Sequence, residues 1–277
     1  MELSCALKEA LCVVGDAQEV RHRVYALFDR ALGIGKKEIL LEPERELSEE
    51  EVFRLRKVLS AYAAGVPIDY IFQSAYFYGR EFYVDENVLI PRFDTERSVE
   101  AILEVAKDKD AILEIGTGSG CVAVTLAKLF PGSEITATDI SHEALRVAKI
   151  NREKHDATNL RFLQSDLFDR IEGRYALIYS NPPYISAEDM KALDAGVYDY
   201  EPHGALYGGV DGLDFHQKIA MEAPAYLYAG GYLVFEIGYD QYDAVSGLMS
   251  AAGFEDIYGK KDYGGHDRVI VGRKKDV

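Results

Sequence analysis

The chain has 277 residues, 48% of them hydrophobic, which is enough for a large domain and a smaller one, and no apolar run approaches the roughly 20 residues that cross a bilayer. Its formal net charge of −16 excludes a generic nucleic-acid binder and favours a cationic cofactor or a basic protein partner. The three cysteines and six histidines show no metal-ligand spacing and the start shows no leader, so we expect a soluble, unprocessed cytoplasmic protein without a metal site.

The first 65 residues have helical patterns and no convincing strand. Ser48 with Glu51 three residues later is a capping-box spacing, and Gly65 and Pro67 end the helix that follows. Apolar residues at helical spacing form two stripes: Val20, Val24, Leu27, Phe28 and Leu32, then Val52, Leu55, Val58, Leu59 and Tyr62. We interpret residues 1–74 as a small helical bundle.

The pattern changes to extended structure over residues 75–92. Phe77 and residues 82–84 flank Gly79-Arg80, which predicts a β-hairpin, and Val88-Leu89-Ile90 predicts a further short extended run. We interpret this segment as a linker.

Residues 93–277 alternate between strand and helix patterns. The apolar runs and their turns predict seven strands, at residues 111–115, 134–138, 160–164, 175–180, 231–237, 254–258 and 268–272. Such alternation implies right-handed crossovers and a mostly parallel sheet. The last two strands have no helix between them, so an antiparallel hairpin at the sheet edge is predicted. The fold class is α/β, with a Rossmann-like domain after the helical one.

A glycine-rich turn follows the first of these strands. Gly116, Gly118 and Gly120 allow a tight turn and close approach of a ligand to the backbone, but their spacing is not that of a dinucleotide site. Asp139 lies about 20 residues further on, where such folds place an acceptor for ribose hydroxyls, and Asp166 ends the next strand. The glycines alone fit a structural turn equally well. Together with the two aspartates they favour a nucleoside-bearing cofactor.

The most specific motif is Asn181-Pro182-Pro183-Tyr184, directly after the fourth strand. The prolines remove two N–H donors, so the Asn181 side-chain oxygen and the Pro182 carbonyl can accept both hydrogens of an incoming –NH₂ group. Tyr184 can stack on a flat substrate group. This arrangement favours methylation of a planar, weakly nucleophilic nitrogen, for which positioning matters more than a strong base. A proline-stiffened turn with a capping asparagine is the alternative.

The chain resembles the bacterial protein-(glutamine-N5) methyltransferases of the HemK/PrmC type, which modify class I peptide chain release factors. The resemblance covers most of the length and rests on several segments: residues 65–67 with 70–71, 88–96, 114–120, 181–185, 200–202, 205–206, 208–213, 236–238 and 267–269. It implies a helical domain that helps to recognise the release factor, a hairpin linker and a Rossmann-like catalytic domain. The implied reaction is methyl transfer from S-adenosylmethionine to the glutamine of a Gly-Gly-Gln loop, by a monomer.

The resemblance also assigns residues to roles. Cofactor contacts are implied for Gly116, Thr117, Gly118, Ser119, Gly120, Asp139, Asp166, Leu167 and Asn181. Asn181, Pro182, Pro183 and Tyr184 are implied to hold the substrate amide, with Asn181, Pro182 and Tyr184 catalytic, and residues 92–96 to border the cofactor. Phe93 stands where the family has proline, and Gln73-Ser74 where glycine is common.

Two other functions compete with this interpretation. The first is an adenine-N6 methyltransferase, since the exocyclic amine of adenine would offer the same –NH₂ group to Asn181. Such an enzyme must engage nucleic-acid phosphates, which the net charge of −16 disfavours. A cofactor-binding scaffold without catalysis is disfavoured because both the glycines and Asn181 are present.

Overall fold

The computed structural model describes residues 1–15, 21–107 and 110–276 and divides into two compact units. Val20, which was assigned to an apolar stripe, lies outside the described residues. The described helices are α1 (Leu3–Val14), α2 (Arg21–Leu32), α3 (Lys36–Leu41), α4 (Glu49–Ala63), α5 (Ile68–Ile71), α6 (Glu96–Val105), α7 (Cys121–Leu129), α8 (His142–Lys154), α9 (Ala195–Tyr198), α10 (Asp214–Tyr226) and α11 (Tyr242–Ala251). The strands are β1 (Ser74–Phe77), β2 (Arg80–Tyr83), β3 (Ala111–Ile115), β4 (Glu134–Asp139), β5 (Leu160–Gln164), β6 (Tyr175–Ser180), β7 (Leu227–Glu236), β8 (Phe254–Lys261) and β9 (Asp267–Lys274).

The helical unit comprises Met1–Gln73 and Ala195–Tyr200. The capping box at the start of α4 is confirmed, because the Ser48 hydroxyl accepts from the Glu51 amide at 3.2 Å and the Glu51 carboxylate accepts from the Ser48 amide at 2.8 Å. The apolar stripes of α1, α2 and α4 meet in one buried cluster that includes Leu27 and Leu55. Hydrophobic burial of these stripes therefore holds the short helices together.

The second unit comprises Ser74–Asp194 and Glu201–Val277 and contains a seven-stranded sheet in the order β5-β4-β3-β6-β7-β9-β8. Strands β3 to β7 are parallel, whereas β9 is antiparallel to both of its neighbours. The predicted α/β fold is confirmed, including the antiparallel edge. The α6 and α7 helices supply side chains to one buried cluster and α10 and α11 to another, so that both faces of the sheet are covered.

Some predicted bounds of the strands are wrong. Strand β7 begins at Leu227 instead of residue 231, because a bulge in its pairing with β6 accommodates Gly230, whose φ is +72°. Residues 88–90, predicted as a short extended run, pair with no strand of the described sheets. A turn precedes them, in which Asp85 accepts hydrogen bonds from Asn87, and Val88 and Ile90 are buried without ladder pairing. The predicted hairpin is confirmed as β1 and β2, a separate two-stranded sheet.

The strands β8 and β9 also extend beyond their predicted ends, to Lys261 and Lys274. Among residues 1–15, 21–107 and 110–276, every helix falls short of the length and apolar character that a membrane crossing requires.

Candidate active site

A cavity of about 560 Å³ opens at the carboxyl edge of the parallel strands. Its walls bring together ten of the residues that the sequence singled out: Gly116, Thr117, Gly118, Ser119, Asp139, Asp166, Leu167, Asn181, Pro182 and Pro183. These residues end or follow four different strands, β3 to β6, and they meet because parallel strands end at the same sheet edge. Gly120 and Tyr184 lie outside the residues that line this cavity.

Residues 116–120, the glycine turn, begin directly after β3. Gly116 and Gly118 have φ values of +74° and +53°, which residues with a side chain rarely adopt. The Gly116 amide donates to the Thr138 carbonyl at 2.9 Å, and the Gly118 amide donates to Asp139 Oδ2 at 2.9 Å. A Cβ atom at either glycine would meet no protein atom within 4 Å. The turn thus presents bare backbone to open space inside the cavity.

The surroundings of Gly120 differ from those of Gly116 and Gly118. Its φ is +77°, and a Cβ atom there would lie 3.0 Å from the Cβ of Ala148 on α8. The structure gives this glycine a packing contact between the start of α7 and α8. Its assignment to cofactor binding stays a prediction.

Two acidic side chains lie beside the glycine turn. Asp139 Oδ1 accepts from the Ser141 amide at 2.9 Å, and burial raises the pKa of Asp139 although the amides of Ser141 and Gly118 favour its ionised form. Asp166 also lines the cavity. A carboxylate has about four lone-pair sites, so Asp139 retains capacity to accept a further hydrogen bond from a ligand hydroxyl beside its backbone donors.

Glu114, at the end of β3, is an acidic group of the cavity that the sequence reading did not assign. It is 3% exposed, and burial raises its pKa to about 8 while the Thr117 hydroxyl donates to Glu114 Oε2 at 2.7 Å. The signal was present, because a charged residue interrupts the apolar strand. At neutral pH this carboxyl group is mostly protonated.

Residues 181–184, the proline turn, leave the adjacent strand β6. The Ser180 hydroxyl donates to the Ile115 carbonyl at 2.8 Å, which ties the end of β6 to the end of β3. Asn181, Pro182 and Pro183 line the cavity, on the neighbouring strand to the glycine turn. The turn predicted to hold the methyl donor and the turn predicted to hold the acceptor amide therefore start from adjacent strands.

The last residue of β7, Glu236, is a second buried acid beside the proline turn. Burial raises its pKa to about 7, while the side chains of Thr95 and Asn181 and the charge of Arg268 favour its ionised form. Its Oε2 atom has no hydrogen-bond partner among the described residues. Ser180 of β6 pairs with Phe235 of β7. The next residue along each segment, Asn181 and Glu236, therefore lies at the same level of the sheet.

Tyr184 faces a polar cluster instead of the cavity. Arg268 Nη1 donates to the Tyr184 hydroxyl at 3.3 Å, and burial raises the pKa of Tyr184 above its usual value. The same Arg268 pairs with Asp262 at 3.2 Å. The proposed stacking of Tyr184 on a substrate stays a prediction.

Residues 92–96 partly border the cavity, through Arg92 and Thr95. Arg92 Nη2 lies 2.6 Å from Glu201 Oε1, and the Glu201 side chain is 1% exposed. Phe93, which replaces the proline of the family pattern, is exposed and stacks on Tyr263 with ring centroids 4.7 Å apart.

A nucleoside-bearing sulfonium fits the residues that are present. The glycine turn offers backbone beside open space, Asp139 offers acceptors, and Asp139 and Asp166 give the cavity an acidic edge suited to a cation. No group of three His, Cys, Asp or Glu side chains arranged for a metal occurs within the described ranges of the chain.

Family models match both units of the chain. A model described as "Methyltransferase small domain" matches residues 93–195, and one described as "PrmC N-terminal domain" matches residues 6–72. The fold is similar to that of a solved methyltransferase from Pyrococcus furiosus, with a TM-score of 0.56 and 21% identity over 72% of this chain and 91% of that one. The sheet order and the glycine turn define a Rossmann-like methyltransferase domain of the S-adenosylmethionine-dependent class.

Curated relatives identify the family more closely. A release factor glutamine methyltransferase of Geobacter sulfurreducens is 40% identical over 89% of this chain and 87% of its own length. One of Bacillus subtilis is 38% identical over 96% of this chain and 95% of its own. The chain belongs to the release factor glutamine methyltransferase family, and it is a methyltransferase.

Proposed function

We propose that the protein transfers a methyl group from S-adenosylmethionine to the side-chain amide nitrogen, N5, of the glutamine in the Gly-Gly-Gln loop of class I peptide chain release factors, and so modulates translation termination in the cytoplasm. One observation carries the proposal: the Asn181-Pro182 acceptors and the glycine turn line a single cavity from adjacent strands. Family membership supports the choice of a glutamine amide as the acceptor.

The acceptor half of the site suits a planar amide. The Asn181 side-chain oxygen and the Pro182 carbonyl accept the two hydrogens of the substrate –NH₂ group, with no N–H on either proline to compete. The delocalised lone pair of an amide is a poor nucleophile, and holding both hydrogens favours the pyramidal form of the nitrogen. The methylated cation is acidic and releases its proton to solvent. No strong base is needed.

The donor half is built from the glycine turn and its acids. Residues 116–119 and Asp139, Asp166 and Leu167 hold S-adenosylmethionine, which supplies an electrophilic methyl group when bound. The backbone of the turn approaches the ligand closely because Gly116 and Gly118 carry no side chain.

We assign residues 1–74 to recognition of the release factor and residues 75–92 to the link with the catalytic residues 93–277. The helical unit supports this role with large apolar side chains that are exposed on it, namely Leu40, Leu41 and Phe53. Deleting the side chains of these three residues should raise the KM for a whole release factor more than the KM for a short Gly-Gly-Gln peptide.

The test is transfer of labelled methyl from S-adenosylmethionine to a purified class I release factor, followed by mass mapping of the product. The control substrate is the same factor with glutamate in place of the loop glutamine. Label on the glutamine, absent from the control, supports the proposal. Label on DNA or RNA offered in the same assay, with none on the release factor, would show an adenine-N6 methyltransferase and overturn it.

A further inference from the structure

Two segments that carry the family resemblance, residues 208–213 and 236–238, have no role in the reaction as described above. In the structure both lie against the proline turn. The Ile185 amide donates to the Leu206 carbonyl at 2.9 Å, and the Gly208 amide donates to the Ile185 carbonyl at 2.9 Å. The chain directly after the proline turn is therefore held by residues 21 and 23 positions further along the sequence.

The glycines of residues 208–213 fit directly against the backbone of the proline turn. A Cβ atom at Gly208 would lie 2.6 Å from the Pro183 carbonyl oxygen and 2.7 Å from the Tyr184 Cα atom. A Cβ atom at Gly212 would lie 2.3 Å from the Tyr184 carbonyl oxygen. Backbone packs on backbone here, with no space for a side chain.

Gln241 joins these segments to the proline turn through both ends of its side-chain amide. Its Oε1 atom accepts from the Gly238 amide at 2.8 Å, and its Nε2 atom donates to the Tyr184 carbonyl at 3.0 Å and to the Gly212 carbonyl at 3.3 Å. The side chain is buried, and Gln241 is 8% exposed. Three backbone groups that come from three separate segments thus depend on one amide.

We propose that Gln241 is a positioning residue for the proline turn: by holding the Tyr184 carbonyl it fixes the direction in which Asn181 and Pro182 present their acceptor oxygens. The inference rests on the proposed function, since it concerns the same acceptor site. Gln241 touches neither substrate nor cofactor, as it lies outside the cavity lining.

An amide satisfies these contacts, whereas an ionised carboxylate does not. Gly238 requires an acceptor on one end, and the carbonyls of Tyr184 and Gly212 require a donor on the other. Gln241→Glu keeps the size and the acceptor for Gly238 but places a carboxylate oxygen against two carbonyl oxygens. Leaving these buried carbonyls without a donor costs about 1–3 kcal/mol, which a shift of the turn would relieve. A shift of about 1 Å in a positioning group costs on the order of 100-fold in rate.

The chain offers a matched control for this substitution. Asn159 Nδ2 also donates to two backbone carbonyls, those of Phe130 at 3.0 Å and Ser133 at 2.9 Å, and it lies outside the cavity lining. Asn159→Asp makes the same amide-to-carboxylate change at a site where the side chain likewise donates to two backbone carbonyls. It reports what the change costs in stability alone.

The experiment measures the kcat and KM for methyl transfer to the release factor, the Kd for S-adenosylmethionine and the Tm, in wild type, Gln241→Glu, Gln241→Met and Asn159→Asp. We expect both Gln241 variants to lose about 10- to 100-fold in kcat while the Kd for S-adenosylmethionine stays within about threefold of wild type. Asn159→Asp should lower the Tm and leave kcat unchanged.

If both Gln241 variants keep the wild-type kcat, or lose no more than Asn159→Asp does, the inference is overturned. Gln241→Met keeps the shape of the side chain without a carboxylate, so it answers the question if Gln241→Glu does not fold. Failure of the proposed function looks different: wild type itself would transfer no methyl to the release factor while binding S-adenosylmethionine normally.

Discussion

Two turns at the same sheet edge achieve their shapes by opposite means. The glycine turn after β3 owes its conformation to the positive φ of Gly116 and Gly118, with hydrogen bonds to β4, and no protein atom approaches the place of a Cβ at either glycine. The proline turn after β6 depends on distant residues, since Gly208, Gly212 and Gln241 pack on its carbonyl groups. Both turns leave neighbouring strands and line one cavity.

The difference shows where precision is needed. A turn that wraps a cofactor needs only a conformation and an open face, which glycines encode locally. A turn that must aim two acceptors at one nitrogen needs its carbonyl directions fixed, and local dihedral preferences do not fix them. Contacts from outside the turn supply that constraint.

The largest effect is expected for the proline turn itself. Asn181→Ala removes an acceptor for the substrate –NH₂ group, so kcat should fall about 10²- to 10³-fold, as when one preorganised hydrogen-bonding group is deleted from an enzyme site. Steady-state transfer to the release factor measures kcat, and calorimetry should show a nearly unchanged Kd for S-adenosylmethionine. If Asn181→Ala instead weakens the binding of S-adenosylmethionine and leaves kcat unchanged, Asn181 contacts the cofactor and not the substrate amide.

A smaller effect in the same direction is expected for Gly208→Ala. Gly208 needs no left-handed backbone, but the new Cβ would press on the carbonyl of Pro183 and the Cα of Tyr184. We expect kcat to fall about 10- to 100-fold with the cofactor Kd retained. Gly247→Ala is the control, since Gly247 has open space around it. An unchanged kcat in Gly208→Ala would mean that the proline turn tolerates displacement.

The glycine turn should respond in the opposite way. Gly116→Ala meets no clash but must hold φ near +74°, which costs about 1–2 kcal/mol. The added methyl group also occupies the open space beside the turn, so the Kd for S-adenosylmethionine should rise about tenfold. Gly173→Ala is the matched control, with φ +83° and open space away from the cavity. Equal effects of both variants on cofactor binding would refute the assignment of the glycine turn.

The smallest effect concerns pH. Burial raises the pKa of Glu114 from 4.5 to about 8, so between these pH values the folded chain retains a proton that the unfolded chain has released, and stability falls as pH rises until the folded carboxyl group has ionised at about pH 8. Between pH 6 and 8 the Tm of cofactor-free wild type should fall, by on the order of 5 °C relative to Glu114→Gln. Thermal scans at several pH values measure this, and parallel curves for the two proteins would contradict it.

Features encoded by neighbouring residues could be predicted from the sequence. The strands β3, β5 and β6 have the predicted bounds, and ten of the predicted site residues line one cavity. Their signals are local: apolar runs, turn glycines and acids at strand ends. The bulge in β7 was not predicted, because it depends on pairing with β6.

Contacts between distant segments could not be predicted. Gln241 and Tyr184 are 57 positions apart, and Arg268 and Tyr184 are 84 apart, so no spacing rule connects them. The family segments around residues 208–213 and 236–238 were visible as motifs, but their contact with the proline turn requires the folded sheet. Glu114 is intermediate, since its charge was visible in β3 but its pKa is a consequence of burial.

The most direct test of the difference between the turns is a double-mutant cycle of Gly116→Ala and Gly208→Ala, read as kcat/KM for methyl transfer to the release factor. If the two turns are held independently, the double variant should show the product of the two single effects, to within about 0.5 kcal/mol. A coupling much larger than this would contradict the account, because it would mean that displacing one turn displaces the other.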